Sequence, residues 1–207
     1  MKIVGLSVSL EHVTPDALQL LERAGRTCYK SEDKITDESA AKFVKMIVEK
    51  GHHTILEHAH ATLRVTSDRG VSHEFVRHRI MTFSQESTRY CNYSKDRHGG
   101  EITLVPMNQG LTAEQLERRF ELWLHAERVY LAELSEGVSP QQARDNLPTC
   151  LKTEFVVTAN FREWLHFLSL RHDGKAGKPH PQMKEVAGMI KSILSTVCPV
   201  VFGESVR

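Results

Sequence analysis

Hydrophobic and polar residues alternate with a period of two in several stretches of the chain. "KIVGLSVSL" near the start, "HATLRVTSD" at residues 60–68 and "KTEFVVTAN" at residues 152–160 all show this pattern. A period of two predicts β-strands, and in the second stretch Ala61, Leu63 and Val65 would share one face. "EITLVP", ended by Pro106, predicts a further short strand.

Other stretches repeat their apolar positions at helical spacing. The longest runs from Leu111 to Gly137, and "TDESAAKFVKMIVEKG" predicts a helix capped by Thr36 or Asp37. Further helices are predicted after Pro15, in "RGVSHEFVRHRI", in "SPQQARDNLPTC", in "FREWLHFLSLRH" with Asn160 at its N-cap, and at residues 182–197. There is no repeat or linker, so we expect one α+β domain over residues 1–207. Its mixed or antiparallel sheet would be flanked by helices.

Composition narrows the class of protein. The 207 residues carry a net charge of +1, so no whole-protein field favours nucleic acid or membranes as partners. No apolar run is long enough to span a bilayer, and Glu11 and His12 interrupt the first one too early for a signal peptide. The four cysteines form no CxxC pair, which argues against a zinc ribbon and fits a reducing compartment. We expect a soluble cytoplasmic protein.

Anion-binding donors concentrate in "VRHRIMTFSQESTRY", residues 76–90, which holds three arginines and a histidine among hydroxyl side chains. The planar guanidinium matches phosphate, and Ser and Thr hydroxyls add further donors. A solvated basic face is the simplest alternative. Phe83 and Tyr90 lie between the polar groups, however, and few acids are near enough in sequence to neutralise them. This pattern favours a site for a phosphorylated, planar ligand outside the Walker and GxGxxG folds.

Three other kinds of chemistry have candidate residues. "GHHTILEHAH" places five metal-ligand side chains between His52 and His60, the basis for a metal-dependent hydrolase. The HExxH motif is absent, and a loop leading into a strand would scatter the imidazoles. Ser87 or Cys91 is a candidate nucleophile, but neither has a known nucleophile motif around it. The local basicity is also compatible with a nucleic-acid-binding module.

The segment after Asn160 ends an apolar stripe with a cation. Trp164, Phe167, Leu168 and Arg171 fall on one helical face. A guanidinium at that position needs a paired anion or a ligand oxygen unless it extends to solvent. Arg162 and His166 share a different face, which we expect to lie roughly opposite Arg171.

The order Arg77-His78-Arg79, seven residues, then Ser87 and Arg89-Tyr90 resembles the signature of flavin-dependent thymidylate synthases. The upstream "GHHTILEH" and "GVSHEFVRHR" are similar to segments of that family. Downstream, "QQARDNLP" resembles its ARxxLP segment and "TANFREWLHFLSLR" its NxRxxxxFxxxR segment. The resembling motifs cover roughly residues 50 to 185.

This resemblance implies a homotetramer with active sites built from several subunits. It also implies methylation of dUMP at C5 to dTMP, with carbon from methylenetetrahydrofolate and hydride from tightly bound FAD reduced by NADPH. It implies no metal and no enzymic nucleophile, with Arg171 as the catalytic group that activates uracil.

Site residues follow from the same resemblance. The implied flavin set is His52, Thr54, Arg77, His78, Arg79, Asn160, Arg162 and His166. The implied dUMP set is Glu74, Arg77, Gln85, Glu86, Ser87, Thr88, Arg89, Arg144 and Arg171. Glu74 departs from the family pattern, which often has Gln there, and Thr88 stands where Gly is frequent.

Overall fold

A computed structural model of the chain describes residues 1–95 and 98–203. Within these residues the strands are β1 (Lys2–Ile3), β2 (Ser7–Val13), β3 (His60–Asp68), β4 (Thr82–Gln85), β5 (Thr103–Leu104) and β6 (Lys152–Asn160). The helices are α1 (Ala17–Thr27), α2 (Ser39–Glu49), α3 (Arg69–Phe75), α4 (Ala113–Ser135), α5 (Pro140–Ala143), α6 (Phe161–Arg171), α7 (Pro181–Val197) and α8 (Pro199–Phe202). Short 3₁₀ helices occupy Glu32–Lys34, His53–His58 and Arg144–Asn146.

The strands form two sheets. β1 pairs in parallel with β5, and the larger sheet has the order β2-β3-β6-β4. Hydrogen bonds join Phe161 to Ala59 at one end of the β3–β6 pair and Arg69 to Thr149 at the other. The two strands are therefore antiparallel. This confirms the predicted α+β class with an antiparallel sheet.

β3 and β6 are the strands that the sequence predicts most clearly, because alternate residues along them are buried and mostly apolar. Ala61, Leu63 and Val65 are fully buried, as predicted, and the next residues along β3 are half-buried. Thr62 and Thr158 join their hydroxyl groups at 2.9 Å across the pair. Such cross-strand pairs fix the register of a sheet.

The first predicted strand was wrong as a single element. Residues 2–3 pair with β5, whereas residues 7–13 belong to the larger sheet. The break falls around Gly5, which has no side chain to continue the alternation. Helix α8 was not predicted, because its four residues are too few to show a period.

The chain divides into two compact units. Unit 1 comprises residues 1–6, 66–75 and 84–155, and unit 2 comprises residues 7–65, 76–83 and 156–207. The unit boundaries fall within β3, β4 and β6. The single domain over residues 1–207 stays a prediction.

Unit 1 has a core built on α4. Trp123 and Tyr130 from this helix pack with Tyr93, Ile102 and Leu151. The Tyr130 hydroxyl accepts a hydrogen bond from the Tyr93 amide at 3.2 Å, so the buried phenol has a polar partner. The predicted long helix is confirmed, and Thr112 and Gln115 form a capping box at its start.

Unit 2 packs helices around α6. Trp164 and Phe167 are fully buried, and the Trp164 indole donates to the Ala61 carbonyl at 3.1 Å. Phe161 contacts Phe202 edge-on, with ring centroids 5.1 Å apart. Helices α1 and α2 approach closely at Gly25, where a Cβ atom would lie 2.7 Å from the Phe43 ring. No helix among the described residues is both long enough and apolar enough to cross a membrane.

Candidate functional site

Residues 76–90 form turns around a short strand rather than a helix. Helix α3 ends at Phe75, and β4 follows after a turn closed by the Met81 amide and the His78 carbonyl. The prediction of a helix through residue 80 was wrong, and β4 was missed. Val76 and Ile80, in the last part of the predicted helix, are 45% and 72% exposed and mark no buried face.

After β4 the chain turns through the predicted phosphate-binding residues of unit 1. The Ser87 carbonyl accepts hydrogen bonds from the amides of Tyr90 and Cys91, which closes the turn. Arg89 is exposed and donates from Nε to Gln141 at 3.1 Å. Thr88 is buried, and its hydroxyl lies 3.5 Å from Nη1 of Arg144. The turn therefore brings Thr88 and Arg144, two predicted dUMP residues, close together.

Gln85 and Glu86 anchor this turn to the protein. The Gln85 amide donates to the hydroxyls of Ser72 and Thr153 at 2.9 and 3.0 Å. The Glu86 carboxylate accepts from the Tyr93 hydroxyl at 2.8 Å and pairs with Lys152 at 3.0 Å. Contacts of both side chains with dUMP stay predictions.

A cavity of about 340 Å³ opens beside the turn, within unit 1. Its polar lining residues are Arg69, His73, Thr88, Arg144, Asp145 and Thr149, and its apolar lining residues are Leu147, Pro148 and Leu151. The lining contains two guanidinium groups and one carboxylate, so the net charge of the cavity favours an anion. We call this space the Arg69 cavity.

Arg69 is a site residue that sequence reasoning missed. Its Nη1 atom is buried and has no hydrogen-bond partner within the part of the chain that the structure describes. A buried guanidinium nitrogen without an acceptor is costly, which suggests that a ligand supplies the acceptor. Sequence could not reveal this, because Arg69 lies outside the RHR-x7-S stretch and at the first position of α3.

Unit 2 carries all the predicted flavin residues. Arg77 and Arg79 are exposed, whereas His78 between them is only 6% exposed. Neither arginine forms an ion pair among residues 1–95 and 98–203. Exposed guanidinium groups without carboxylate partners suit the phosphates of a dinucleotide.

His78 lies in a buried row of polar groups. Its Nδ1 is 3.3 Å from Glu163 Oε1, and its Nε2 accepts a hydrogen bond of 3.1 Å from Arg171 Nε. The pKa of His78 is lowered to about 4, mainly by burial and to a smaller extent by the charges of Arg171 and His166. Burial raises the pKa of Glu163. The row therefore contains a neutral imidazole.

The other flavin candidates surround the start of α6. Asn160 caps this helix as predicted, accepting from the Glu163 amide at 2.8 Å. Arg162 is exposed and pairs with Glu57 at 2.5 Å. His166 is also exposed, and its ring centroid lies 6.1 Å from that of His78. His166 and Arg171 both approach the His78 ring, although they leave α6 in directions about 140° apart.

His52 and Thr54 lie at the 3₁₀ turn that leads into β3, and both are exposed. Within residues 1–95 and 98–203, no three His, Cys, Asp or Glu side chains converge on one point. The His52–His60 segment therefore gives no support to the metal-dependent hydrolase.

Of the two candidate nucleophiles, Ser87 lacks an activating partner among residues 1–95 and 98–203. The only hydrogen bond of Ser87 Oγ in the described part of the chain comes from the Arg89 amide at 3.3 Å. No imidazole contacts this oxygen, so no side chain there would accept its proton. Cys91 is half-buried and unpaired with another cysteine.

Comparison with known proteins extends this picture. The α+β fold, the arginine-lined cavity and the exposed pair Arg77 and Arg79 together indicate a protein that binds anions. A family model described as thymidylate synthase complementing protein matches residues 9–200. The chain belongs to this family, that of the flavin-dependent thymidylate synthases, and is an enzyme.

Two similar proteins are named flavin-dependent thymidylate synthase. One, from Geobacter sulfurreducens, is 31% identical over 97% of this chain and 87% of its own length. The other, from Corynebacterium glutamicum, is 34% identical over 89% of this chain and 78% of its own length.

Among solved structures, the UMP/dUMP methylase PolB from Streptomyces cacaoi, bound with 5-Br dUMP, superposes with a TM-score of 0.80. It covers 98% of this chain and 95% of its own at 21% identity. At that identity the likeness shows a shared fold.

Proposed function

We propose that the protein methylates dUMP at C5 to give dTMP, taking the carbon from methylenetetrahydrofolate and the hydride from FAD reduced by NADPH. Family membership and the RHR-x7-S stretch support this reaction. The observation that carries it is the Arg69 cavity, which Arg69 lines together with Thr88 and Arg144, and in which Nη1 of Arg69 is buried and has no acceptor among residues 1–95 and 98–203.

The dUMP phosphate would occupy the Arg69 cavity. Arg69 and Arg144 would donate charge-assisted hydrogen bonds to its oxygens, and Thr88 would add a hydroxyl or amide. Ser87 and Arg89 would complete the donors at the mouth of the turn. A volume of about 340 Å³ is adequate for a phosphate and part of its sugar.

Arg171 would act on the uracil. A guanidinium against the N3–O4 edge stabilises negative charge on the ring and raises electron density at C5. A serine or cysteine attacking C6 is then unnecessary. The absence of an imidazole at Ser87 Oγ in the described structure agrees with this assignment.

The exposed hydrogen-bond donors of unit 2 suit FAD, the phosphate-containing cofactor that membership of the family implies. Arg77, Arg79, Arg162 and His166 would hold the FAD phosphates, while His52, Thr54 and Asn160 would contribute polar contacts. When bound and reduced, FAD supplies the hydride. A homotetramer whose subunits share active sites is part of the proposal.

The decisive experiment follows oxidation of the reduced, FAD-loaded protein on adding dUMP, with and without methylenetetrahydrofolate. We expect dTMP when both substrates are present. Arg171→Ala should keep FAD and lose most dTMP formation, because its role is to stabilise charge on uracil. Losses of about 10²-fold to 10³-fold in kcat are typical for such a group.

Arg118→Ala is the matched control, since Arg118 is exposed on α4 and pairs only with Glu114 in the described structure. This variant should turn over like the wild type. A protein that gains no flavin spectrum with added FAD, or near-normal turnover in Arg171→Ala, would contradict the proposal.

A further inference from the structure

Three polar side chains of unit 2 form a continuous hydrogen-bonded row. Glu163 Oε1 is 3.3 Å from His78 Nδ1, and Arg171 Nε is 3.1 Å from His78 Nε2. Glu163 and His78 are each 6% exposed, so water does not compete for their bonds. Glu163 has no assigned role, whereas the other two belong to the predicted site.

The donors and acceptors in this row can be assigned by elimination. A guanidinium group carries only donors, so the bond between Arg171 and His78 requires an unprotonated Nε2. A neutral imidazole then carries its proton on Nδ1, and this N–H donates to Glu163 Oε1. Glu163 is therefore the group that holds His78 in the tautomer able to accept from Arg171.

The sequence builds this row into α6. Asn160 caps the helix and bonds the Glu163 amide, which fixes Glu163 in the first turn. Arg171 ends the same helix. The His78 ring packs edge-on against Phe167, with centroids 5.0 Å apart, so the imidazole has a defined orientation. One rigid helix thus sets the positions of both ends of the row.

We propose that Glu163 is a positioning residue that orients the Arg171 guanidinium through His78. Because the bond to His78 uses Nε, it fixes the plane of the Arg171 guanidinium for recognition of a planar substrate with an adjacent N–H and carbonyl. This rests on the proposed function, in which that substrate is the uracil of dUMP. Loss of Glu163 lets the imidazole adopt the Nε2–H tautomer, which repels the Arg171 donor.

The test combines tautomer and turnover in the full-length, FAD-loaded protein. With ¹⁵N-labelled histidine, long-range ¹H–¹⁵N correlation spectra should show His78 protonated on Nδ1 in the wild type. Glu163→Leu should shift His78 toward Nε2–H and lower kcat by about 10²-fold, more than it changes KM for dUMP. Glu163→Gln keeps an acceptor oxygen and should restore both the tautomer and turnover.

Glu185→Leu on α7 is the control for loss of an exposed carboxylate, and it should change neither measurement. If Glu163→Leu does not fold, Glu163→Ala removes the acceptor without adding apolar bulk. An unchanged tautomer in the folded variant, or a shifted tautomer with unchanged kcat, would overturn the inference. A tautomer that responds as expected in a protein without any dUMP-dependent turnover would uphold tautomer control and reject the proposed function.

Discussion

His78 and its neighbours have different roles despite standing in one tripeptide. Arg77 and Arg79 are exposed, whereas His78 is buried, and its pKa falls to about 4 because burial disfavours the charged ring. The basic motif therefore presents two cations at the surface and one neutral group to the interior. The RHR pattern identified all three residues, but sequence could not show that their roles differ.

The lowered pKa of His78 makes stability depend on pH. Between about pH 4 and 6.5 the unfolded chain binds the proton that the folded chain excludes, so the free energy of unfolding should fall as pH decreases. The full effect is about 3 kcal/mol. Urea unfolding at several pH values measures it. His78→Gln should lose this slope, while the exposed control His125→Gln should keep it. An equal slope in both variants would contradict the assignment.

A second prediction for a single residue concerns Arg69. Arg69→Ala should weaken dUMP binding by about 10-fold to 100-fold, since a charged hydrogen bond to phosphate is lost. Binding of deoxyuridine, which has no phosphate, should be unchanged. Isothermal titration with both ligands measures the difference. Arg128→Ala, an exposed arginine on α4, is the control. Equal losses for both ligands in Arg69→Ala would place Arg69 outside the phosphate site.

Among the elements, those in which the hydrophobic pattern repeats over many residues were predicted well. α4 and α6 are present as predicted, and Asn160 caps α6 as expected, although Phe120, an apolar residue of α4, is 46% exposed. β4 and α8 contain only four residues each, too few to establish a period. Thr36 and Asp37 were wrong as caps of α2, which begins at Ser39 with Glu38 as its N-cap. Short elements depend on tertiary contacts that sequence does not display.

The capping box of α4 gives a prediction for this element. The Thr112 hydroxyl accepts from the Gln115 amide at 3.2 Å, and the Gln115 side chain accepts from the Thr112 amide at 2.9 Å. Thr112→Ala should lower the free energy of unfolding by about 1 kcal/mol. Denaturant unfolding measures the change. Thr196→Ala, late in α7, is the control and should alter stability by less than about 0.5 kcal/mol. Similar losses of stability in the two variants would contradict a stabilising role for the capping box.

In the whole molecule, the predicted ligand residues divide between the two units. The phosphate donors Ser87, Thr88, Arg89 and Arg144 all lie in unit 1, whereas all the flavin candidates lie in unit 2. Motif order along the chain predicted both sets without predicting this division. It follows from β3, β4 and β6, which each contribute residues to both units.

The proposed tetramer is testable for the molecule as a whole. Multi-angle light scattering of the FAD-loaded protein should give four times the mass of one chain, because the resemblance implies active sites built from several subunits. The flavin absorbance should coincide with that peak. A monomer with full dUMP-dependent turnover would contradict shared sites.

The buried position of His78 also limits which substitutions evolution can accept at this residue. Exchange of a basic residue for another basic residue is usually a mild step, and Arg-Lys-Arg would keep three basic residues in the tripeptide. Here it would place a permanent cation inside the protein next to Arg171 and remove the acceptor that holds that guanidinium. We therefore expect lineages to preserve the middle residue of the motif for its neutrality and the outer two for their charge.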